Sequence, residues 1–108
     1  MQDITNAAFE LILYAGNGRS YAMEAIREAK RGNFEKAEEL IAKAGEEIGQ
    51  AHEVQTKLIQ SEAGGQSVQL NMLMVHAQDH LMTSMVVRDL AKEIIDIYKG
   101  GGRENGKV

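Results

Sequence analysis

Four polar residues interrupt the most apolar stretch of the chain, residues 72–83, and are the first candidates for chemistry. They are His76, Gln78, Asp79 and His80. His76 and His80 are four residues apart, so on a helix they share one face about one turn from each other. Asp79 falls within an apolar stripe of the same helix that includes Val75, Met82 and Val86. An ionised carboxylate there is costly unless a cation or strong hydrogen-bond donors meet it.

The two histidines allow more than one interpretation. A histidine within a helix is most often a hydrogen-bonded side chain without chemistry. Two histidines four residues apart are also half of a zinc site, because imidazole is a common zinc ligand. The intervening Ala-Gln-Asp lacks the glutamate of the His-Glu-x-x-His zinc helix. A third ligand could come from His52 if the fold brings it close, so a metal-site enzyme is the weaker alternative.

The position of Asp79 points to a different kind of site. If its apolar face is an oligomer interface, the same aspartate from each subunit converges near the symmetry axis. Carboxylates that close repel unless a proton or a metal ion lies between them. A ring of carboxylates is a hard-oxygen site of the kind that Mg²⁺ favours. The alternative is that Asp79 bonds to a neighbouring helix of its own chain.

Composition limits the class of protein. The 108 residues suffice for one domain with one modest core. The absence of proline and the scarcity of aromatic residues favour long helices over strands, so an all-α fold is expected. The net charge of −4 argues against nucleic-acid binding, and the absence of cysteine excludes disulfides and thiolate sites. Since neither a signal peptide nor a membrane-spanning run is evident, we expect a soluble, cytoplasmic protein.

Hydrophobic periodicity predicts three helices. The first extends from about Asp3 to Arg31, the second from Phe34 to about Glu62, and the third from a cap at Ser67 to about Lys99. The segment Gly16-Asn17-Gly18 either kinks the first helix or lets another backbone approach it closely. Residues 1–99 form the predicted domain, and the Gly-rich residues 100–108 form a flexible tail.

The two connections are short, which predicts an antiparallel up-down-up bundle. Gly32 fits a helix C-terminus, and Asn33 fits the N-cap of the second helix. The third helix is apolar nearly all round, more than one small bundle can bury, so a partner is implied. A non-catalytic helical scaffold that uses this helix only for assembly is the second functional hypothesis.

Three segments resemble one known family, the IIA components of the lactose- and cellobiose-type phosphotransferase systems of bacteria. The segment Val75-His76-Ala77-Gln78-Asp79-His80-Leu81-Met82-Thr83 resembles the signature of this family. Residues 15–20, Ala-Gly-Asn-Gly-Arg-Ser, and residues 51–56, Ala-His-Glu-Val-Gln-Thr, resemble its motifs on the first and second helices. The similarity covers about residues 4 to 99 in order and with matching spacing.

The resemblance implies a fold, an activity and a set of partners. The family forms homotrimers of three-helix bundles with the third helices central. His76 corresponds to the phosphoryl acceptor, with Gln78 and His80 as supporting residues. Asp79 corresponds to a residue on the threefold axis that binds a divalent metal, for which Mg²⁺ is the expected ion.

In the family, the phosphocarrier HPr is the donor, and a cysteine of the IIB component of the transporter is the recipient. The membrane is involved only through the IIC transporter. Ala77, Asn17 and Gly18 resemble the cellobiose, chitobiose and lichenan branch more than the lactose branch. A histidine suits such a relay because a neutral imidazole is nucleophilic near neutral pH and its phosphoramidate passes the phosphoryl group onward. We also expect His80, Gln78 or Thr83 to donate hydrogen bonds to the phosphoryl oxygens.

Overall fold

Three long helices make up the bundle. The computed structural model describes residues 4–100, in which α1 spans Ile4–Lys30, α2 spans Phe34–Ala63 and α3 spans Met72–Lys99. These residues contain no strand, so the all-α prediction is confirmed. The predicted tail beyond Gly100 and the predicted start at Asp3 lie outside the described residues. No helix between residues 4 and 100 is long and apolar enough to cross a membrane.

Contacts between the helices establish the up-down-up order. Asn17 on α1 donates to Glu47 on α2, and Tyr21 faces Lys43 one turn further along. The residue number rises along α1 as it falls along α2, so these helices are antiparallel. The hydrogen bonds from Gln55 to Gln78 and from Lys99 to Glu38 show the same for α2 and α3. Small side chains let α1 pack closely against both other helices, and the core forms two clusters along the bundle. Their buried members on α1 are Ala7, Ala8, Leu11 and Ala15 in the first cluster, and Ala22, Ala25 and Ala29 in the second.

In the first connection, Gly32 and Asn33 occupy the positions that the sequence predicts. Gly32 has a φ of +85°, a left-handed conformation that glycine adopts without strain, and it ends α1. Asn33 precedes α2 but makes no side-chain capping bond. Its Nδ2 instead donates to Glu28 at 2.8 Å. Asn33 is therefore the N-cap residue of α2 as predicted, and its carbonyl oxygen accepts from the Ala37 N–H at 3.0 Å, but its side chain bonds to the end of the preceding helix and caps no backbone N–H.

The third helix begins later than the sequence pattern suggests. The predicted cap at Ser67 is wrong, since α3 starts at Met72 and Asn71 is its cap. The Asn71 side-chain oxygen accepts a hydrogen bond from the Met74 backbone N–H at 2.8 Å. Residues 66–71 have no regular structure, yet Val68 still packs against the first core cluster. Its apolar side chain therefore fits the helical pattern without belonging to the helix.

Removing the cap gives a first test of this boundary. Asn71→Ala should destabilise the protein by about 1 kcal/mol, because the Met74 N–H then loses its side-chain acceptor. Ser67→Ala, at the position that sequence alone favours, should change stability by less than about 0.5 kcal/mol. Urea unfolding followed by circular dichroism measures both. A larger loss for Ser67→Ala than for Asn71→Ala would contradict the observed start of α3.

The Gly16-Asn17-Gly18 segment lies inside an unbroken helix. A Cβ atom at Gly18 would lie 2.5 Å from Ile48 Cγ1 and 3.2 Å from the Ala44 carbonyl oxygen. A Cβ at Gly16 would meet nothing within 4 Å. Of the two interpretations left open by the sequence, close approach of another helix therefore holds for Gly18, and no break occurs in α1.

Candidate active site

The two histidines on α3 form a pair. The Nε2 atoms of His76 and His80 are 3.1 Å apart, and the rings meet edge to face with their centroids 4.5 Å apart. His76 is exposed and His80 is partly buried. At this distance one ring donates an N–H and the other accepts with a lone pair. When His80 is the donor, His76 Nε2 carries the lone pair, which is the nucleophilic state of an imidazole.

The other expected hydrogen-bond donors do not converge on His76 within one chain. Gln78 lies about 160° from His76 around α3, and its Oε1 accepts from Gln55 on α2 at 2.8 Å. Its Nε2 contacts Met74 Sδ at 3.5 Å. The hydroxyl of Thr83 donates to the Asp79 carbonyl oxygen at 2.8 Å, which engages its one proton. His80 is thus the one expected supporting residue that the fold places against His76.

Asp79 lies on a different face of α3 from His76, about 60° around the helix. Among residues 4–100 its carboxylate makes no hydrogen bond or ion pair, so the alternative of a bond to a neighbouring helix is not observed. It is exposed in the middle of an apolar stripe along α3. The exposed apolar residues of this stripe are Met72, Val75, Met82, Val86, Leu90 and Ile97. The single chain therefore leaves this face of α3 without a partner.

The third histidine does not join the pair. His52 is exposed on α2 and makes no contact with either ring of the pair. Within residues 4–100, no three histidine, aspartate or glutamate side chains of one chain are grouped so that they could hold a metal ion. The geometry needed for the His76, His80 and His52 zinc site is therefore not formed in the described part of the chain.

Gln55 is a functional candidate that the sequence pattern does not reveal. Its position fits the heptad repeat of α2, which suggests a core residue, but its amide forms the bond to Gln78 described above. The segments 51–56 and 75–83 are thus joined by a direct hydrogen bond between α2 and α3. Lys99 on α3 also donates to Glu38 on α2 at 2.6 Å, so the amide pair is one of the polar contacts that orient α3 relative to α2.

A family comparison agrees with this architecture. Residues 6–99 match the model of the lactose/cellobiose-specific IIA subunit of the phosphotransferase system. The chain belongs to this family. One relative, the lichenan-specific phosphotransferase enzyme IIA component of Bacillus subtilis, is 51% identical over 91% of this chain and 89% of the relative. The lactose-specific EIIA component of Streptococcus mutans is 42% identical over 93% of this chain and 96% of its own.

Solved structures of this IIA family have the same fold. The cellobiose-specific enzyme IIA from Bacillus anthracis superimposes with a TM-score of 0.89 at 48% identity, over 95% of this chain and 94% of that one. The IIA(chitobiose) of Escherichia coli, solved in complex with HPr, gives a TM-score of 0.79 at 36% identity. That match covers 92% of this chain and 96% of the other. The protein is therefore a IIA component, a subunit of a sugar phosphotransferase system.

Proposed function

We propose that this IIA component is a phosphocarrier that accepts a phosphoryl group from phosphorylated HPr on His76 and passes it to a cysteine of a IIB component. The observation that carries the proposal is the exposed imidazole of His76, paired with His80 at 3.1 Å. A partner protein can reach an exposed ring directly. The known complex of IIA(chitobiose) with HPr supports HPr as the donor.

In this transfer the main task of the protein is to position the reacting groups, and His76 is its one reacting side chain. A lone pair of the His76 ring attacks phosphorus as the bond between phosphorus and the donor breaks, so the phosphoryl group moves without a change in oxidation state. In the second step the N–P bond breaks while a bond forms to the sulfur of IIB. The His80 N–H that meets His76 in the free protein then donates to a phosphoryl oxygen and stabilises its charge.

The exposed stripe on α3 supports assembly into a homotrimer with the third helices central. Apolar side chains as exposed as Val86 (56%) and Ile97 (68%) on one helix face favour burial against other copies. Along the stripe, Met72, Val75, Asp79, Met82 and Val86 are separated by three or four residues, which is the spacing of a helix seam. Because His76 lies about 80° from the middle of the stripe, it would remain at the edge of the assembly, accessible to HPr and IIB.

Assembly also provides a role for Gln78. His76 and Gln78 flank the stripe on opposite sides, each about 80° from its middle. In a parallel cyclic assembly, opposite flanks of neighbouring copies face each other. We therefore place Gln78 of one copy beside His76 of the next, where an amide N–H can donate to the phosphoryl group. Its bond to Gln55 then holds the amide in place.

A divalent metal, Mg²⁺ being the expected ion, would be held by Asp79 from each copy. The residue fits this role because its carboxylate is exposed on the stripe and has no partner within residues 4–100. Carboxylate oxygens are hard ligands that suit Mg²⁺. The metal would neutralise converging negative charges. Since Asp79 and His76 lie on different faces, we assign it a role in assembly, separate from phosphoryl transfer.

A chelator separates these two roles. Removing divalent metal with EDTA should raise the dissociation constant of the wild-type assembly about tenfold, because the converging carboxylates then repel. Asp79→Leu should assemble equally well with and without EDTA while His76 still accepts a phosphoryl group. Sedimentation equilibrium measures the assembly. Equal EDTA sensitivity in Asp79→Leu would show that Asp79 does not hold the metal.

The transported sugar is proposed from resemblance. A IIA component meets HPr and IIB rather than the carbohydrate, so none of its side chains contacts the sugar. The lichenan-specific relative is 51% identical and the cellobiose-specific structure 48% identical to this chain, against 42% for the lactose-specific relative described above, which favours a β-linked disaccharide of the cellobiose, chitobiose or lichenan type over lactose. The protein would act in the cytoplasm and meet the membrane only through the IIC transporter.

Reconstitution tests the proposal. Wild-type protein is incubated with phosphoenolpyruvate, enzyme I and HPr, and its intact mass is measured. The expected result is an acid-labile adduct of one phosphoryl group that forms only when HPr is present. Absence of an adduct would refute the phosphocarrier proposal and leave the helical scaffold as the better explanation of the apolar stripe.

A further inference from the structure

A groove between α1 and α3 carries two arginines that the proposed phosphoryl transfer does not use. It is lined by Arg19, Ser20, Met23, Arg27 and Val87. Arg19 and Arg27 are exposed, and neither forms an ion pair within residues 4–100. The two exposed guanidinium groups make this groove positively charged, although the protein as a whole has a net charge of −4. Such a groove suits an acidic partner.

The opposite flank of the α3 stripe carries the complementary charge. Val87 lies about 100° to one side of the stripe centre, while Asp89 and Asp96 lie about 60–80° to the other side. Both aspartates are exposed. Asp89 pairs with its neighbour Arg88 at 2.8 Å, and Asp96 has no ion pair in the described part of the chain. One flank of the stripe is therefore basic, and the other is acidic.

The charges on the two flanks are also similarly spaced, and they lie at similar positions along the long axis of the bundle. Arg19 and Arg27 are separated by about 12 Å along α1, and Asp89 and Asp96 by about 10.5 Å along α3, at 1.5 Å per residue. Because Val87 lines the groove beside the arginines, these residues lie at the same end of the bundle as the aspartates. An arginine side chain is long enough to span the remaining axial distance between the arginines and the aspartates, which is a few residues of helix.

From this pattern we infer that a second copy of the chain occupies the groove, packed in parallel, with Arg19 and Arg27 of one copy facing Asp89 and Asp96 of the next. In a parallel cyclic arrangement, each basic flank meets the acidic flank of its neighbour. An antiparallel pair about a twofold axis instead brings like flanks together, arginine against arginine. The charges thus favour the parallel arrangement, in which the Asp79 residues of all copies lie at the same height along the bundle.

This inference rests on the proposed assembly, so the experiment measures assembly in the wild type first. Sedimentation equilibrium at low salt compares the wild type with Arg19→Glu/Arg27→Glu, with Asp89→Arg/Asp96→Arg, and with the chain carrying all four changes. Lys36→Glu/Lys57→Glu on α2 is the control for the arginine variant, and Glu35→Arg/Glu53→Arg on α2 is the control for the aspartate variant, because each makes the same charge change on another helix. Circular dichroism confirms that each variant is folded.

Each double variant should raise the dissociation constant of the assembly by about tenfold relative to the control with the same charge change, because like charges then face each other. The fourfold variant should return to within about threefold of the wild type, since the pairs are restored with reversed sign. The differences should shrink in about 1 M salt. If the wild type assembles but the double variants match their controls, or the fourfold variant stays as weak as they are, the inference is wrong and the assembly stands. A monomeric wild type would refute the assembly itself, and the inference with it.

Discussion

His76→Gln should take up no phosphoryl group from phosphorylated HPr, whereas the wild-type chain gains the mass of one. Glutamine has no ring nitrogen with a lone pair that can attack phosphorus, so the acceptor is removed and not merely weakened. The side chain is exposed, so the substitution should leave the fold intact. Intact-mass spectrometry after incubation with phosphoenolpyruvate, enzyme I and HPr gives the result directly.

The other two histidines provide matched controls for this experiment. His52→Gln changes an exposed histidine on α2 and should be phosphorylated like the wild type. His80→Ala should still be phosphorylated, but about a hundredfold more slowly, because one donor to the phosphoryl group is removed. Rapid-quench sampling measures these rates. If His76→Gln were labelled, or if His52→Gln lost its label, the acceptor would have to be assigned to another residue.

The bundle itself could be predicted from sequence because its determinants are local and repeated. The spacing of small and apolar residues defines three helical faces, and Gly32 ends α1 as expected. The start of α3 could not be found this way, since Ser67 and Asn71 are both good caps and Val68 fits the apolar stripe. Which of the two residues caps α3 depends on a tertiary contact, because Val68 packs into the core from an irregular segment.

The candidate site shows the same division between local and distant contacts. The four-residue spacing of His76 and His80 suffices to predict their pairing, because it lies within one helix. Gln78 was expected to support His76, and within one chain its side chain is instead bonded to Gln55 on α2. Helical geometry alone places Gln78 on the far side of α3, but the identity of its partner depends on how two helices pack. The groove with Arg19 and Arg27 likewise exists only once α1 lies beside α3.

Two glycines two residues apart on α1 should respond in opposite directions to the same substitution. Gly16→Ala should stabilise the protein by about 1 kcal/mol, because alanine is the better helix former and its Cβ meets nothing within 4 Å. Gly18→Ala should destabilise it by roughly 1–3 kcal/mol, because its Cβ would lie 2.5 Å from Ile48 Cγ1 and force α1 and α2 apart. Gly18→Val should cost more still. Urea unfolding by circular dichroism measures all three.

The neighbour of Gly18 allows the steric cause to be isolated. Ile48→Ala removes the side chain that the new Cβ would meet, so Gly18→Ala should cost much less in that background than in the wild type. If the helix instead needed glycine for a kink, Gly16→Ala would also destabilise the protein, and the Ile48→Ala background would not rescue Gly18→Ala.

Because α1 contacts both other helices, a shift at Gly18 also moves the face that α1 presents to α3. Gly18→Ala should therefore slow phosphorylation of His76 more than Gly16→Ala does, although neither residue lies beside the histidine pair.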